Sequence, residues 1–381
     1  MLNSASRFRT ARLLLGTCMT TEFDSVEAAI AAIQEGHMVV VVDDDDRENE
    51  GDLIMAASKA TAERVAFMIR HTSGILCTPI HEDQAARLHL DPMVARNDAP
   101  MSTAFTVSID YKRGLTTGIS AEERAATVQA LTTSNVTAED FVRPGHIFPL
   151  VARRGGVLVR SGHTEAGIDL STLAGCPPVS LLAELVNDDG TVQRLPQLIE
   201  FAKTHDLKII SIADLIAYRQ TREQLVERTM EFTVNTRIGP ARAYAYKTKF
   251  EDAEHIALVF GEISGTMPVR IHREKLIDDI FGPQAGHSES LLDVSLDRIA
   301  KLGGGVLIYL RSGFVGVPLE KLSDQSKEES RRAQWLEIGV GAQILRDLGL
   351  SKIRLIAGRE ANYVGVEGFG LTLESTELLN G

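Results

Sequence analysis

The sequence predicts a two-domain protein that mixes helices with strands, and three observations carry that reading. At 381 residues the chain exceeds one ordinary domain and has room for two. Apolar residues recur at helical spacing in some stretches and at alternate positions in others. Near Tyr218 the pattern changes: charged, helically spaced sequence over Ile212 to Met230 gives way to alternating RAYAYK and HIALVFGEI. The boundary falls at about Arg219 to Glu231. This divides the chain into an unstructured extension over 1–18, a first domain over 19–219, a linker over 220–235 and a second domain over 236–381.

Composition narrows the function classes. With 44% hydrophobic and 24% charged residues, the chain has the balance of a soluble globular protein with substantial cores. Its net charge of −12 argues against non-specific binding to nucleic acid or membrane surfaces, since both depend on clustered cations. Cys18, Cys77 and Cys176 are widely spaced and form no CxxC pair. That speaks against a disulfide framework or a cysteine-rich zinc site and for a reducing, cytoplasmic setting. No apolar run reaches membrane-spanning length. Residues 1–18 carry Arg7, Arg9 and Arg12 and no acid. Such a stretch fits either a transit peptide or an upstream start codon, with Met19 opening the folded protein.

Along the first domain, Asp24 with Glu27 resembles a capping box, and Val26, Ala29, Ile30 and Ile33 share a helical stripe that Gly36 can end. Val39 to Val42 predicts a short buried strand. Thr61 to His71 predicts a helix with Val65, Met68 and Ile69 facing inward, and Ser73 to Ile80 a short strand in which Cys77 packs. Residues 91–103 read as polar loop. Phe105, Val107 and Ile109 alternate with Thr106, Ser108 and Asp110, as in a half-buried strand. Ser120 can cap a helix over Glu123, and Thr116, Thr117 and Gly118 before it can serve an anion site or the cap alone. Val157 and Val159 predict a strand ending in Arg160, and SLLAELV reads as another strand.

The stretch that organises this domain is VVVVDDDDRENEGDLIMAA, Val39 to Ala57. Its seven carboxylates cannot all be neutralised by Arg47 alone. Hard oxygen ligands beside a fixed cation suit a divalent metal with a phosphorylated or polyhydroxylated ligand. Farther on, Arg160, Ser161, Gly162, His163 and Thr164 form a small-residue turn. Backbone can approach a ligand there, and Arg and Thr supply phosphate donors. His146 lies on a Pro-Gly turn. Glu184 sits among Leu181, Leu182, Leu185 and Val186, where a carboxylate must pair, ligate or change its pKa.

Six blocks (DDDDRENEGDLIMAA, RHTSGILC, TTGISAEERAATV, RPGHIFPL, RSGHTEAGIDLSTLAG and AELVNDDG) closely resemble 3,4-dihydroxy-2-butanone 4-phosphate synthase over about Met19 to Arg219. The resemblance implies an α+β fold, an α/β sandwich on a mixed sheet, working as a homodimer with its site near the interface. It implies conversion of D-ribulose 5-phosphate to 3,4-dihydroxy-2-butanone 4-phosphate and formate through an enediolate, with Mg²⁺ or Mn²⁺ and no redox cofactor. By the same resemblance the metal ligands fall on Glu48 and His163. The sugar-phosphate contacts fall on Arg47, Glu48, Asp52, Arg160, Ser161, Gly162, His163, Thr164 and Glu184, and the catalytic positions on His146 and Glu184. Ser161 stands where the family commonly has glycine.

From about Thr236 to Gly370 the chain resembles GTP cyclohydrolase II, through EHIALVFGEI, PVRIHREKL, GGGVLIYLR and GVGAQILRDLGLSKIRLIAG. That makes it a second α/β domain. The family's three zinc cysteines are replaced by Lys275, Ala285 and His287, and no cysteine follows Cys176. Val315 stands at the place of its nucleophilic arginine, and Ala357 to Glu360 replace its TNNP segment. The expectation is a domain without zinc or catalysis, kept as a scaffold or a regulatory module. Two other readings are a bifunctional enzyme, in which His255, His272 or His287 would rebuild a metal site, and a non-catalytic sugar-phosphate or nucleotide sensor.

Overall fold

The computed structural model describes residues 23–44, 47–249, 253–282, 289–311, 339–358 and 369–379. They form two seven-stranded mixed sheets flanked by helices, in accord with the α+β expectation. The first half contains strands β1 (Val39–Val42), β2 (Gly51–Ala56), β3 (Cys77–Ile80), β4 (Ile109–Tyr111), β5 (Phe141–Val151), β6 (Ser180–Glu184) and β7 (Lys208–Ser211). Its helices are α1 (Val26–Glu35), α2 (Ala62–His71), α3 (Glu82–Arg87), α4 (Ala121–Ala130), α5 (His163–Leu173), α6 (Leu195–Thr204) and α7 (Ile212–Arg222).

Strands run in the order β4-β5-β3-β6-β2-β1-β7. Helices cover both faces of this sheet, which is why β1 can be four consecutive β-branched residues. Val40 and Val42 join the core that holds Met68, Val128 and Leu198 of α2, α4 and α6. Val39 and Val41 join the opposite core with Ile33, Leu170 and Leu215 of α1, α5 and α7. Local signals set the ends of the helices. Ser120 and Glu123 form the expected capping box on α4, Thr61 caps α2, and Gly36 ends α1 at φ 90°.

The second half contains β8 (Val226–Thr236), β9 (Gly239–Thr248), β10 (Glu254–Phe260), β11 (Thr266–Arg273), β12 (Gly305–Leu310), β13 (Lys352–Ala357) and β14 (Thr372–Leu378), with helices α8 (Leu276–Phe281) and α9 (Leu291–Lys301). Its strand order is β14-β13-β11-β12-β10-β9-β8. Gln343, in a helical stretch over 339–347, ties the halves together. Its Nε2 donates to the carbonyls of Gln220 and Glu223 at 2.8 and 2.7 Å, and its Oε1 accepts from Leu225 N at 2.7 Å. Among the described residues no helix is long and apolar enough to cross a membrane.

Four local expectations need correction. Ser25 caps α1, whereas the Asp24 carboxylate accepts from Lys208 Nζ and Ile209 N on β7. Helical spacing over Ile212 to Met230 holds only to Arg222, because β-strand β8 begins at Val226. Most of the expected linker over 220–235 is therefore the last turn of α7 and an edge strand of the second sheet. Gly156–Leu158 is a 3-10 turn and not a strand. Gly155 and Gly156 at φ 98° and 62° bend the chain there, and Val157 N donates to Asp169 Oδ2 at 2.8 Å. Residues 1–18, Asp45 and Asp46, Ala285, His287, Val315, Arg359 and Glu360 lie outside the described residues.

Candidate active site

Register gathers the predicted residues at one end of the first sheet. Val41, Asp52 and Glu184 pair in one row across β1, β2 and β6. Phe148, Cys77 and Leu182 pair across β5, β3 and β6. Glu184 follows Leu182 by two residues and His146 precedes Phe148 by two, and the strand directions carry both toward the same end. Steps of two keep both side chains on the face that α1, α5 and α7 cover. With neighbouring strands about 4.8 Å apart, His146 and Glu184 flank a gap of roughly 10 Å.

Helix α5 brings His163 to this row. Its Nε2 lies 3.1 Å from the Val41 carbonyl, which sets Nε2 as the donor and turns Nδ1 toward the acidic loop. Nδ1 is 3.7 Å from Glu48 Oε2 and 3.8 Å from Asp52 Oδ1, beyond hydrogen-bond reach in both cases. Asp52 Oδ1 is buried and has no hydrogen-bond partner. Ligand atoms of Asp43, Glu48 and His163 all lie within 4.8 Å of one another. Ligands sharing one ion at about 2.1 Å stand roughly 3 to 4 Å apart, so these residues fit a divalent cation. It is the only such group among the described residues.

Charges in the cluster confirm its surplus of carboxylate. Burial disfavours a charged His163, yet Asp52, Glu48 and Asp43 hold its pKa up at about 9. Burial pushes Asp52 up to about 7 against the pull of His163. Burial also opposes ionisation of Glu48, but His163 and Arg47 bring it down to about 2. In effect a proton on the imidazole stands where positive charge is wanted. Asp43, not singled out by the sequence, also shapes the loop. Its oxygens accept from the Glu48 and Glu50 amides at 3.0 and 2.9 Å and from Arg47 at 3.0 Å.

Other predicted residues are placed as follows. Arg47 is buried, and its Nη1 holds the carboxylates of both Asp43 and Glu48, at 3.0 and 2.5 Å. It therefore organises the acidic loop from within. Arg160 Nη1 binds Glu165 Oε2 at 2.7 Å, and Glu165 Oε1 also accepts from Arg153 N, so a buried acid missed in the sequence holds the arginine. Gly162 is the N-cap of α5 with no side-chain cap, leaving the amides of His163 and Thr164 at an uncapped helix start. A Cβ on Gly162 would come within 2.5 Å of Arg160 Nη1. Ser161 directly precedes Gly162. Glu184, half-buried at the end of β6, accepts from Ser73 Oγ at 2.8 Å.

His146 has a partner that sequence reasoning passed over. Buried Asp110 accepts from His146 N at 2.9 Å through Oδ1 and meets Nδ1 at 2.7 Å through Oδ2. This fixes the ring and directs Nε2 away from the pair. On an alternating strand Asp110 reads as one more outward polar residue; only the β4–β5 pairing turns it toward His146. Thr116, a candidate anion donor, spends its amide and hydroxyl on Glu123 at 2.6 and 2.8 Å, so it serves the cap. Gly118, at φ 83°, lies so close that a Cβ would be 2.1 Å from Asp110 Oδ2.

In the second half, Lys275 precedes α8, where the cyclohydrolase family would place a zinc cysteine. Nearby His272 Nε2 is engaged with both oxygens of Asp279 at 3.0 and 3.1 Å. Tyr309 OH and Lys275 N also donate to Asp279 Oδ2, each at 2.8 Å. His255 is buried on β10, where its Nδ1 accepts from Arg311 N at 3.2 Å.

A buried imidazole faces a cluster of carboxylates of which Asp52 Oδ1 lacks a hydrogen-bond partner, with an oriented histidine and a second carboxylate at the same sheet end, an arrangement able to hold a divalent cation beside acid–base groups. The chain belongs to the 3,4-dihydroxy-2-butanone 4-phosphate synthase family, whose model matches residues 27–218. A GTP cyclohydrolase II model matches residues 227–377. Two chloroplastic riboflavin biosynthesis proteins of Arabidopsis thaliana are similar over 93% of this chain. One, described as bifunctional, is 47% identical and matched over 68% of its own length. The other, described as monofunctional, is 48% identical and matched over 76%. The solved structure of RibBX, a two-domain 3,4-dihydroxy-2-butanone 4-phosphate synthase from A. baumannii, superposes with a TM-score of 0.79 at 39% identity, covering 94% of this chain and all of that one.

Proposed function

We propose that the first half converts D-ribulose 5-phosphate to 3,4-dihydroxy-2-butanone 4-phosphate and formate, in riboflavin biosynthesis. The observation that carries this is the meeting of Glu48, His163, His146 and Glu184 at one sheet end. Glu48 and His163, with Asp43, would hold Mg²⁺ or Mn²⁺, which supplies Lewis acidity toward the sugar's vicinal oxygens. The oxygen-rich set favours such hard ions. To hold such an ion, His163 would offer a neutral Nδ1, the ring nitrogen left facing the loop by the Val41 contact.

The protein's own groups divide the remaining work. The uncapped start of α5, with Ser161, Gly162 and Thr164 and the Arg160 guanidinium, receives the phosphate. Anchoring the phosphate at α5 sets which sugar carbons lie between His146 and Glu184, a positioning effect worth up to roughly 7–11 kcal/mol in well-oriented systems. Loss of water, the skeletal shift and loss of formate each move protons. Glu184 and the Nε2 of His146, on the same face at one end of the sheet, are the groups that move them. Arg47 and Asp52 hold the acidic loop's charge balance beside the sugar.

The second half, in this reading, is a scaffold without cyclohydrolase chemistry. Lys275 at a zinc position and the mutual engagement of His272 and Asp279 support it. So does the Gln343 bridge that fastens this half to α7. The division into two domains, a homodimer formed through the first half and a cytoplasmic setting belong to the same proposal.

Formate release by purified protein with Mg²⁺ or Mn²⁺, run separately on ribulose 5-phosphate and GTP, tests it. Formate from the pentose phosphate alone is expected. Release from GTP would overturn the scaffold reading, and folded protein inactive on both substrates would overturn the synthase reading.

A further inference from the structure

We propose that Ser73 is a positioning residue that presents Glu184 to the substrate. This rests on the reading of Glu184 as a proton-moving group. Ser73 Oγ donates to Glu184 Oε2 at 2.8 Å, a bond between side chains 111 residues apart in sequence. Five further contacts give that bond a definite direction.

The backbone is pinned first. Ser73 N donates to the Glu184 carbonyl at 2.8 Å, and the preceding Thr72 bridges to Leu185. The end of α2 is thus stitched to β6 beside the glutamate. Thr72 stiffens the turn, donating through Oγ1 to Met68 O at 2.6 Å and accepting there from Gly74 N at 3.2 Å. Gly74, at φ 76°, then reverses the chain. Finally, Ile75 N donates to Ser73 Oγ at 3.3 Å. That amide occupies an acceptor direction of the oxygen and leaves the hydroxyl hydrogen for Glu184.

Glu184 stands at the end of a strand, half-buried, with three side-chain torsions to fix. Among the described residues Ser73 is the one side-chain partner that its carboxylate has. With Oε2 held, Oε1 is the atom left to face the gap opposite His146. A carboxylate free to rotate would spend most of its time in orientations useless for proton transfer. The serine contributes orientation without touching the substrate.

Ser73→Ala should lower kcat for formate release roughly threefold to thirtyfold, the range of a hydrogen bond to a charged group near the surface, with little change in KM. Ser73→Thr, which keeps the hydroxyl, should restore most of it. Thermal unfolding of both variants should match the parent. Wild-type kcat in Ser73→Ala, or equal losses in the Ala and Thr variants, would overturn the inference. Glu184→Gln, assayed alongside, separates the two ideas: turnover persisting in that variant would remove Glu184 itself, whereas a dead Glu184→Gln with a fully active Ser73→Ala would remove only the serine.

Discussion

Each half of the molecule buries a histidine against carboxylate on a seven-stranded mixed sheet, and the two clusters are built to opposite ends. In the first half, His163 Nδ1 faces Glu48 and Asp52 at 3.7 and 3.8 Å, and a buried Asp52 oxygen has no hydrogen-bond partner. In the second half, Asp279 is saturated by His272, Tyr309 and Lys275 N, with every donor at 2.8 to 3.1 Å. Unpaired buried charge is costly, and a fold retains it only where something else completes the set. A carboxylate that already receives all its donors acts as a clamp. The difference separates a site from a structural knot more sharply than residue types do.

Removing metal should break the comparison most visibly. Chelation is expected to bring formate release from ribulose 5-phosphate down to background, with recovery on adding Mg²⁺ or Mn²⁺, and metal analysis should find no zinc bound by the second half. Activity that survives chelation would mean the acidic loop needs no ion. Next in size is Glu184→Gln, expected to cost roughly a hundredfold to ten-thousandfold in turnover with an unchanged melting curve. Retained activity there would shift the proton transfers elsewhere.

Gly118→Ala probes the His146–Asp110 pair from outside. Its Cβ would press on Asp110 Oδ2 at 2.1 Å and on His146 Nδ1 at 2.8 Å. A loss of roughly tenfold to a hundredfold in kcat is expected from the misplaced ring. Unaltered kinetics would show that the loop yields instead. For the second half, Asp279→Ala should cost about 2–3 kcal/mol in denaturant unfolding, because it strands His272 and Tyr309 without a buried acceptor. Formate release measured below the transition should stay near that of the parent; parallel loss would make the two halves one functional unit.

The smallest effect is a pH dependence confined to the second half. Burial, aided by Arg311, holds the pKa of His255 down to about 4, against 6.5 for the unhindered ring. The unfolded chain therefore binds a proton there before the folded one does. Stability from this group is complete above pH 6.5 and declines as pH falls toward 4, by on the order of 2 kcal/mol. His255→Gln should flatten that slope in a urea-unfolding series, and an unchanged slope would place the effect at other groups.

Much of the candidate site was legible because the chemistry proposed for it needs particular side chains in short, dense blocks. The DDDDRENEGD loop and the RSGHT turn announce themselves, and Glu184 stands out as a carboxylate in an apolar run. Asp110, Glu165 and Ser73 did not announce themselves. Each contacts another residue of the candidate site, and each partner is set by strand pairing or a tertiary turn. The strand expected at Val157 and Val159 failed for a related reason. The apolar run was real, but two glycines at positive φ and an Asp169 acceptor made a 3-10 turn cheaper.

By itself the sequence determined the two-part organisation, the helices whose caps it carries, and the identity of the groups that can ligate or move protons. Local geometry decides those things, since capping, periodicity and ligand hardness depend on near neighbours or on the side chain alone. Tertiary structure decided which atom of each group is engaged and which is left facing its neighbours. That Nδ1 of His163 faces the loop follows from a carbonyl on β1, 122 residues away. That His146 and Glu184 face one gap follows from the directions of β5, β3 and β6. Hydrogen bonds and register are made between segments distant in the chain, so orientation exists only once the sheet has closed.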